Sequence, residues 1–299
     1  MPVSLTRLPP ADWPALAELI VRCNRRPDGS VHCLHAAQGT DVASHAAELR
    51  ALHPDEAAFW GISDGAQQLG VVGCEFDAAL ARAWVRGPLV LDPPSLEGTV
   101  ALVAASMEGA LPAVRQFDAF PAADADLLNR WYAAAGYEAL QLHRVLRAPV
   151  AQAHASSRAV RPAAAGDLLT LLSLHQQLFP SAYIGEADFH RALAPDGDCV
   201  LFVVSGDDAA PIGYLYVKDD PVEQEAYIDY LGVAQARRGQ GFGRALLDSA
   251  FAWAASRGRG HLALTVREDR QSALGLYRQA GFVEVSAGRH WRKVTSRAP

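Results

Sequence analysis

The chain has 299 residues, enough for one large domain or two of ordinary size. Its hydrophobic content of 50% excludes a chain disordered throughout, and its formal charge of -6 excludes a basic nucleic-acid-binding face. No apolar run reaches membrane-spanning length, and the start shows no basic segment followed by an apolar stretch, so a cytoplasmic protein with neither membrane nor nucleic-acid partners is expected. Cys23, Cys33, Cys74 and Cys199 are too few and too scattered for a disulfide framework. Cys23, His32, Cys33 and His35 are metal-ligand types, but their spacing fits no paired-ligand pattern, and no metal is expected.

In chain order, Asp12 stands before an apolar helix at 16–21 and can cap it. Residues 59–63 and 69–77 flank a polar turn and read as a hairpin. Trp131-Tyr132-Ala133-Ala134-Ala135-Gly136-Tyr137 then ends a helix. The same series is written again about 143 residues later. Asp167 stands before the helix 168–174, a hairpin covers 201–205 and 212–219, and Leu276-Tyr277-Arg278-Gln279-Ala280-Gly281-Phe282 closes it. A period of that length is a duplicated domain. The small and polar stretch 148–157 reads as the linker, giving halves at 1–147 and 158–299.

The second half reads as helix, helix, three strands, helix, strand, helix, strand. Its third strand, Tyr227-Ile228-Asp229-Tyr230-Leu231-Gly232-Val233, is apolar almost throughout, as in a sheet covered on both faces. A helix at 243–257 carries Leu246, Leu247, Ala250, Phe251 and Ala254 on one stripe. Between the two lies Arg237-Arg238-Gly239-Gln240-Gly241-Phe242-Gly243-Arg244. A strand, a glycine-rich turn and a helix start make an anion site, because the first helical N–H groups lack internal partners and carry the positive end of the dipole. A Walker A loop needs a lysine that is absent here, and a dinucleotide fingerprint needs glycine where Arg244 stands.

The remaining pattern, Arg238-x-x-Gly241-x-Gly243 with Leu276-Tyr277 and Gly281-Phe282, resembles the GNAT acetyltransferase superfamily. The resemblance implies an α/β fold of two tandem domains, each a splayed, mostly antiparallel sheet flanked by helices. It implies acetyl-CoA as acyl donor and an amine of a small molecule or peptide as acceptor. Leu231, Gly232 and Val233 should meet the pantetheine arm, and the amides of Gly239, Gln240, Gly241, Phe242, Gly243 and Arg244 the pyrophosphate, with Arg238 beside them. The family often has Asn where Arg270 stands, and Arg270 can reach a phosphate or a carboxylate instead. Some relatives place a Glu base where Thr265 stands, which argues against protein amino-terminal acetylation.

Transfer to an amine needs a group to take its proton, donors for the developing oxyanion, and an acid for the leaving thiolate. The Val233 N–H suits the oxyanion, and Tyr277 is the candidate acid or a core aromatic. If the strand runs without a bulge, Glu225, Tyr227, Asp229, Leu231 and Val233 share a face. Asp229 is then the first candidate base or amine anchor, and Glu225 the second. Tyr183, Glu186 and Asp188 fall in the segment expected to shape the acceptor pocket. In the first half, residues 89–99 hold Pro93, Pro94, Glu97 and a single glycine, which predicts a domain without bound cofactor and a structural Tyr132. A non-catalytic CoA-binding or interaction module is the competing reading.

Overall fold

The computed structural model describes residues 3–26, 41–65, 67–91, 100–150, 160–180, 182–194, 197–206, 209–221 and 223–295. The chain divides into two compact units, Met1–His143 with Ser286–Pro299, and Arg144–Val285. Most of the proposed linker, the glycine-poor segment from residue 92 to 99, and His32, Cys33 and His35 lie outside the described residues. Among the described residues no cluster of three potential metal ligands occurs.

In the first unit, strands β1 (Val3–Arg7), β2 (Ala57–Asp64), β3 (Gln67–Asp77), β4 (Arg82–Val90) and β5 (Gln116–Ala119) follow one another across the sheet, antiparallel except for the parallel pair β4–β5. The end of the chain completes this unit. Strand β12 (Val283–Val294) lies antiparallel to β5, with Trp291 opposite Ala119. Helices α1 (Leu16–Asn24), α2 (Val42–Ala51), α3 (Val100–Ala110) and α4 (Asp126–Ala134) cover the sheet. One core gathers Trp13, Phe59, Ile62, Met107, Phe117, Leu128 and Tyr132.

The second unit orders its strands β6 (Glu138–Pro149), β11 (His261–Arg267), β10 (Glu225–Val233), β9 (Pro211–Asp220), β8 (Cys199–Ser205) and β7 (Val160–Pro162). Its helices are α5 (Leu168–Leu178), α6 (Glu186–Ala192), α7 (Phe242–Ser256) and α8 (Gln271–Gln279). The unbroken apolar run on β9 has a simple cause, because both faces are covered. Leu215 and Val217 join α7 and α8 in one core, whereas Tyr214 and Tyr216 join α5 and α6 in another. The repeated helix ending also has a cause. Gly136 and Gly281 sit just past α4 and α8 at φ +79° and +90°, a conformation glycine adopts without strain.

The expected caps take a different form. Asp12 and Asp167 lie in 3-10 turns, Pro10–Ala15 and Ala165–Asp167, that feed straight into the helices. The Asp167 carboxylate accepts from the Ala164 N–H (2.8 Å) and holds Arg161 with two bonds, so it fixes the turn rather than α5.

Asp118 is the electrostatic centre of the first unit. It is fully buried on β5 and accepts from Arg82 (2.5 Å), His290 (2.7 Å), Arg292 (2.8 Å) and Gln116 (2.7 Å). Burial alone would raise its pKa, but the bonds from His290 and Arg292 and the charge of Arg82 outweigh it and hold the carboxyl below its ordinary value. Because the folded pKa is depressed, the stabilisation is present above the ordinary carboxylate range near pH 4 and is lost as pH falls through the folded value. We expect Asp118→Asn to lower stability at pH 7 by about 3–5 kcal/mol, since it strands buried cations. Urea midpoints at pH 7 and pH 3 check this, and the gap between variant and wild type should narrow in acid.

Candidate active site

The site begins where two strands part. Parallel pairing of β10 with β11 covers only Glu225–Ile228 against His261–Leu264, whereas β10 stays on β9 through Val233. Beyond Ile228 the inner edge of β10 therefore faces a gap. The Ala234 N–H donates to the Ile212 carbonyl on the β9 side (2.8 Å). Alternation along an antiparallel ladder then turns the peptide groups of Leu231 and Val233 away from β9 and into the gap. These are the two residues expected to meet a pantetheine arm.

The glycine-rich loop closes one end of this gap. Gly239 and Gly241 sit at φ +74° and +85°, and Gly241 is the N-cap of α7. The first amide of α7 to reach back is Ala245, onto the Gly241 carbonyl (3.1 Å). The amides of Gly239, Gly241 and Gly243 make no hydrogen bond among the described residues. A Cβ on Gly239 would meet nothing within 4 Å, whereas one on Gly243 would touch Leu276 at 3.0 Å and Leu231 at 3.8 Å. The loop thus offers open space and free donors, while its helix packs close to α8 and the end of β10. That is the chemistry a pyrophosphate requires. Buried Phe242 anchors the first turn, and Gln240 is exposed. The Arg238 Nε donates to the Val233 carbonyl (3.2 Å) at the mouth of the gap. Arg244 instead bonds Asp248 (2.9 Å) and the Gln279 carbonyl (3.2 Å), tying α7 to α8. Arg270 is exposed ahead of α8, 3.9 Å from Asp269.

Tyr277 is buried in the α7–α8 core against Phe282, yet its hydroxyl has no hydrogen-bond partner among the described residues. Burial pushes its pKa up to about 12. The first unit answers with a closed version. There β4 also leaves β5 after Val85, but the Tyr132 hydroxyl donates to the Gly87 carbonyl within the parted stretch and is fully buried.

The expected parity of β10 does not hold beyond Ile228. A bulge between Ile228 and Tyr230 puts Asp229 and Tyr230 successively on the α5–α6 face. Leu231 and Val233 fall on the α7–α8 face. Asp229 therefore opens on the side opposite the loop. It is held by Lys218 and by the Tyr183 hydroxyl (2.7 Å). Burial of that hydroxyl, together with the Asp229 charge, raises the Tyr183 pKa and keeps it a donor. Phe179 and buried His175 meet the Tyr230 ring edge-on, at 5.0 and 4.9 Å between ring centres. Glu225 stands at the far, fully paired end of β10, roughly 25 Å from Val233 at about 3.3 Å per residue. It is buried against Arg147 (2.7 Å), and burial raises its pKa. Thr265, just past the paired stretch of β11, bonds the Tyr227 hydroxyl (2.7 Å). Glu186 lies 3.6 Å from His190, and Asp188 holds the Gly185 N–H and Arg191, so both serve α6.

Comparison with known proteins agrees with this geometry. Residues 168–282, within the second unit, match the model of the acetyltransferase (GNAT) family. Over 87 residues the chain is 37% identical to a streptothricin acetyltransferase of Streptomyces lavendulae, covering 29% of this chain and 46% of that protein. Over 88 residues it is 38% identical to a mycothiol acetyltransferase of Jonesia denitrificans, covering 29% of this chain and 28% of that one. The chain thus spans less than half the length of either relative. Among solved structures, a GCN5-related N-acetyltransferase from Sphaerobacter thermophilus superposes with a TM-score of 0.77 at 18% identity, over 98% of this chain and 95% of that one. A tandem GNAT protein from the clavulanic acid biosynthesis pathway gives 0.66 at 15%, over 99% and 100%. The fold is the tandem GNAT fold.

The two tyrosines give a test of the closed and open arrangements. Tyr132→Phe removes the buried bond from the Tyr132 hydroxyl to the Gly87 carbonyl and should lower stability by about 1–3 kcal/mol. Tyr277→Phe removes a hydroxyl bonded to nothing among the described residues and should change stability by less than about 0.5 kcal/mol. Denaturant titration of the two variants side by side checks the contrast.

Proposed function

We propose that the second unit is an N-acetyltransferase that moves an acetyl group from acetyl-CoA to an amine. The observation that carries this reading is the gap beside β10, lined by the outward peptide groups of Leu231 and Val233 and ending on the unbonded amides of the glycine-rich loop. The amides of Gly239, Gly241 and Gly243 would hold the pyrophosphate, with Arg238 adding charge at the mouth. Leu231 and Val233 would orient the pantetheine arm. When bound, acetyl-CoA supplies the thioester carbonyl that an amine attacks.

The chain's own groups then divide the work. The Val233 N–H, fixed by the ladder to β9, is preorganised to donate to a developing oxyanion in the gap. Asp229, on the acceptor side, is placed to anchor an ammonium and accept its proton, which a neutral nucleophile requires because an alkylamine has a pKa near 10. Tyr277 holds its proton at the hydroxyl throughout the physiological range and is the donor available to a leaving thiolate. Glu225 contributes to packing rather than chemistry, being remote from the gap and tied to Arg147. The first unit is read as a domain without bound cofactor, since the Tyr132 hydroxyl donates to the Gly87 carbonyl in the stretch of β4 that corresponds to the open edge of β10.

Release of free thiol from acetyl-CoA with a panel of amines tests the activity. Tyr277→Phe should lower kcat by about 10²–10⁴-fold, the usual worth of one general acid, with the affinity for acetyl-CoA unchanged. The wild-type rate should show no alkaline fall from this phenol below about pH 11, because burial places its pKa near the top of the accessible range. Calorimetric titration should give one acetyl-CoA per chain. Two sites would mean that the closed first unit binds as well.

A further inference from the structure

The α5–α6 face of the second unit holds an ammonium in a box of one carboxylate and two aromatic rings, and that ammonium is the chain's own. The Lys218 Nζ is ion-paired with Asp229. It lies 5.6 Å from the ring centre of Tyr183 and 5.7 Å from that of Tyr216, within reach of a cation–π attraction. Tyr183 closes the box by donating its hydroxyl to Asp229 (2.7 Å), and its N–H is directed to the Tyr230 hydroxyl (3.4 Å). The two ions are not held alike. The Asp229 side chain is 5% exposed and fixed at the bulge, while that of Lys218 is 36% exposed on a flexible four-carbon stem.

Lys218 is one of two lysines among 27 lysine and arginine residues. An arginine here would bind the carboxylate as a planar fork and stay, whereas a lysine is a hydrated point charge that can leave into water. Asp229 is also the first residue past the stretch in which β10 pairs with β11, two residues before Leu231.

We propose that Asp229, Tyr183 and Tyr216 form a seat for a primary alkylammonium group of the acceptor, and that Lys218 fills this seat until an acceptor displaces it. The word acceptor rests on the acyl-transfer reading above; the ammonium seat does not. The seat selects an amine on a slim, unbranched stem, as a lysyl side chain presents it. It disfavours aromatic amines, which are uncharged at neutral pH and bring nothing for the carboxylate to hold.

Lys218→Ala should empty the seat, leave Asp229 without its counter-charge and lower the melting temperature. n-Butylammonium chloride should then raise the melting temperature of the variant saturably in the millimolar range, while n-butanol and potassium chloride at equal concentration should not. The rescue should vanish in the double variant Lys218→Ala/Asp229→Asn and be weak in wild type, where the seat is full. Should Lys218→Ala fail to fold, Lys218→Met keeps the stem and removes the charge, and direct calorimetric binding of n-butylammonium to it replaces the melt. In turnover, Lys218→Met should lower the KM for alkylamines by about tenfold, since a resident competitor is gone, with the KM for acetyl-CoA unmoved. Equal responses to butylammonium, butanol and potassium chloride in both variants would overturn the seat. Saturable butylammonium binding in a chain that releases no thiol from acetyl-CoA would uphold the seat and remove the acyl-transfer reading. Thiol release with aromatic amines and no butylammonium binding would do the reverse.

Discussion

Four residues of parallel pairing, Glu225–Ile228 on His261–Leu264, are followed by a strand that keeps one neighbour and loses the other. Backbone polar groups demand partners, so an edge left open inside a sheet is either plugged from within or reserved for something that brings its own donors and acceptors. The chain shows both solutions. In the first unit a tyrosine hydroxyl bonds the parted strand at Gly87. In the second the equivalent tyrosine hydroxyl has no partner among the described residues, and there the peptide groups of Leu231 and the Val233 N–H stay open, while the Val233 carbonyl takes the Arg238 Nε. The positions of loop, bulge and aromatic face follow from that difference.

The sheet also separates two chemistries. On the α7–α8 face the helix start and its glycines offer amides and space, which suit phosphate. On the α5–α6 face Asp229, Tyr183, Tyr216 and Lys218 offer a carboxylate and rings, which suit a cation. The bulge at Asp229 is what allows one strand to serve both. It turns two consecutive side chains to the α5–α6 face and returns Leu231 and Val233 to the α7–α8 face. A regular strand continuing the alternation of Ala226 and Ile228 would have put Leu231 and Val233 on the α5–α6 face with Asp229.

Much of the fold was legible because its signals are local. The glycines after α4 and α8, the paired hairpins and the long stripe of α7 each specify conformation within a few residues. The glycine-rich loop was legible for the same reason. The bulge was not, since nothing in Ile228-Asp229-Tyr230 distinguishes a bulged strand from a regular one; it appears only in the register against β9. The contacts of Lys218 with Asp229 and Tyr183 left no mark in the sequence, because these partners are 11 and 35 positions away and meet it only through the fold. The membership of β12 from Ser286 onward in the first unit was equally hidden, because pairing with β5 leaves no mark on a strand's composition. Glu225 was expected toward the solvent end of the strand, but it lies buried at the paired end, tied to Arg147.

The central claim is that the open edge of β10 is where the donor binds. Amide hydrogen exchange with and without acetyl-CoA, resolved to single residues, tests it most directly. The account predicts slowed exchange at Leu231, Val233, Gly239, Gly241 and Gly243, and none at the parted stretch of β4 around Gly87 and Leu89. Saturating acetyl-CoA with unchanged exchange at Leu231 and Val233, or with protection confined to β4, would contradict it.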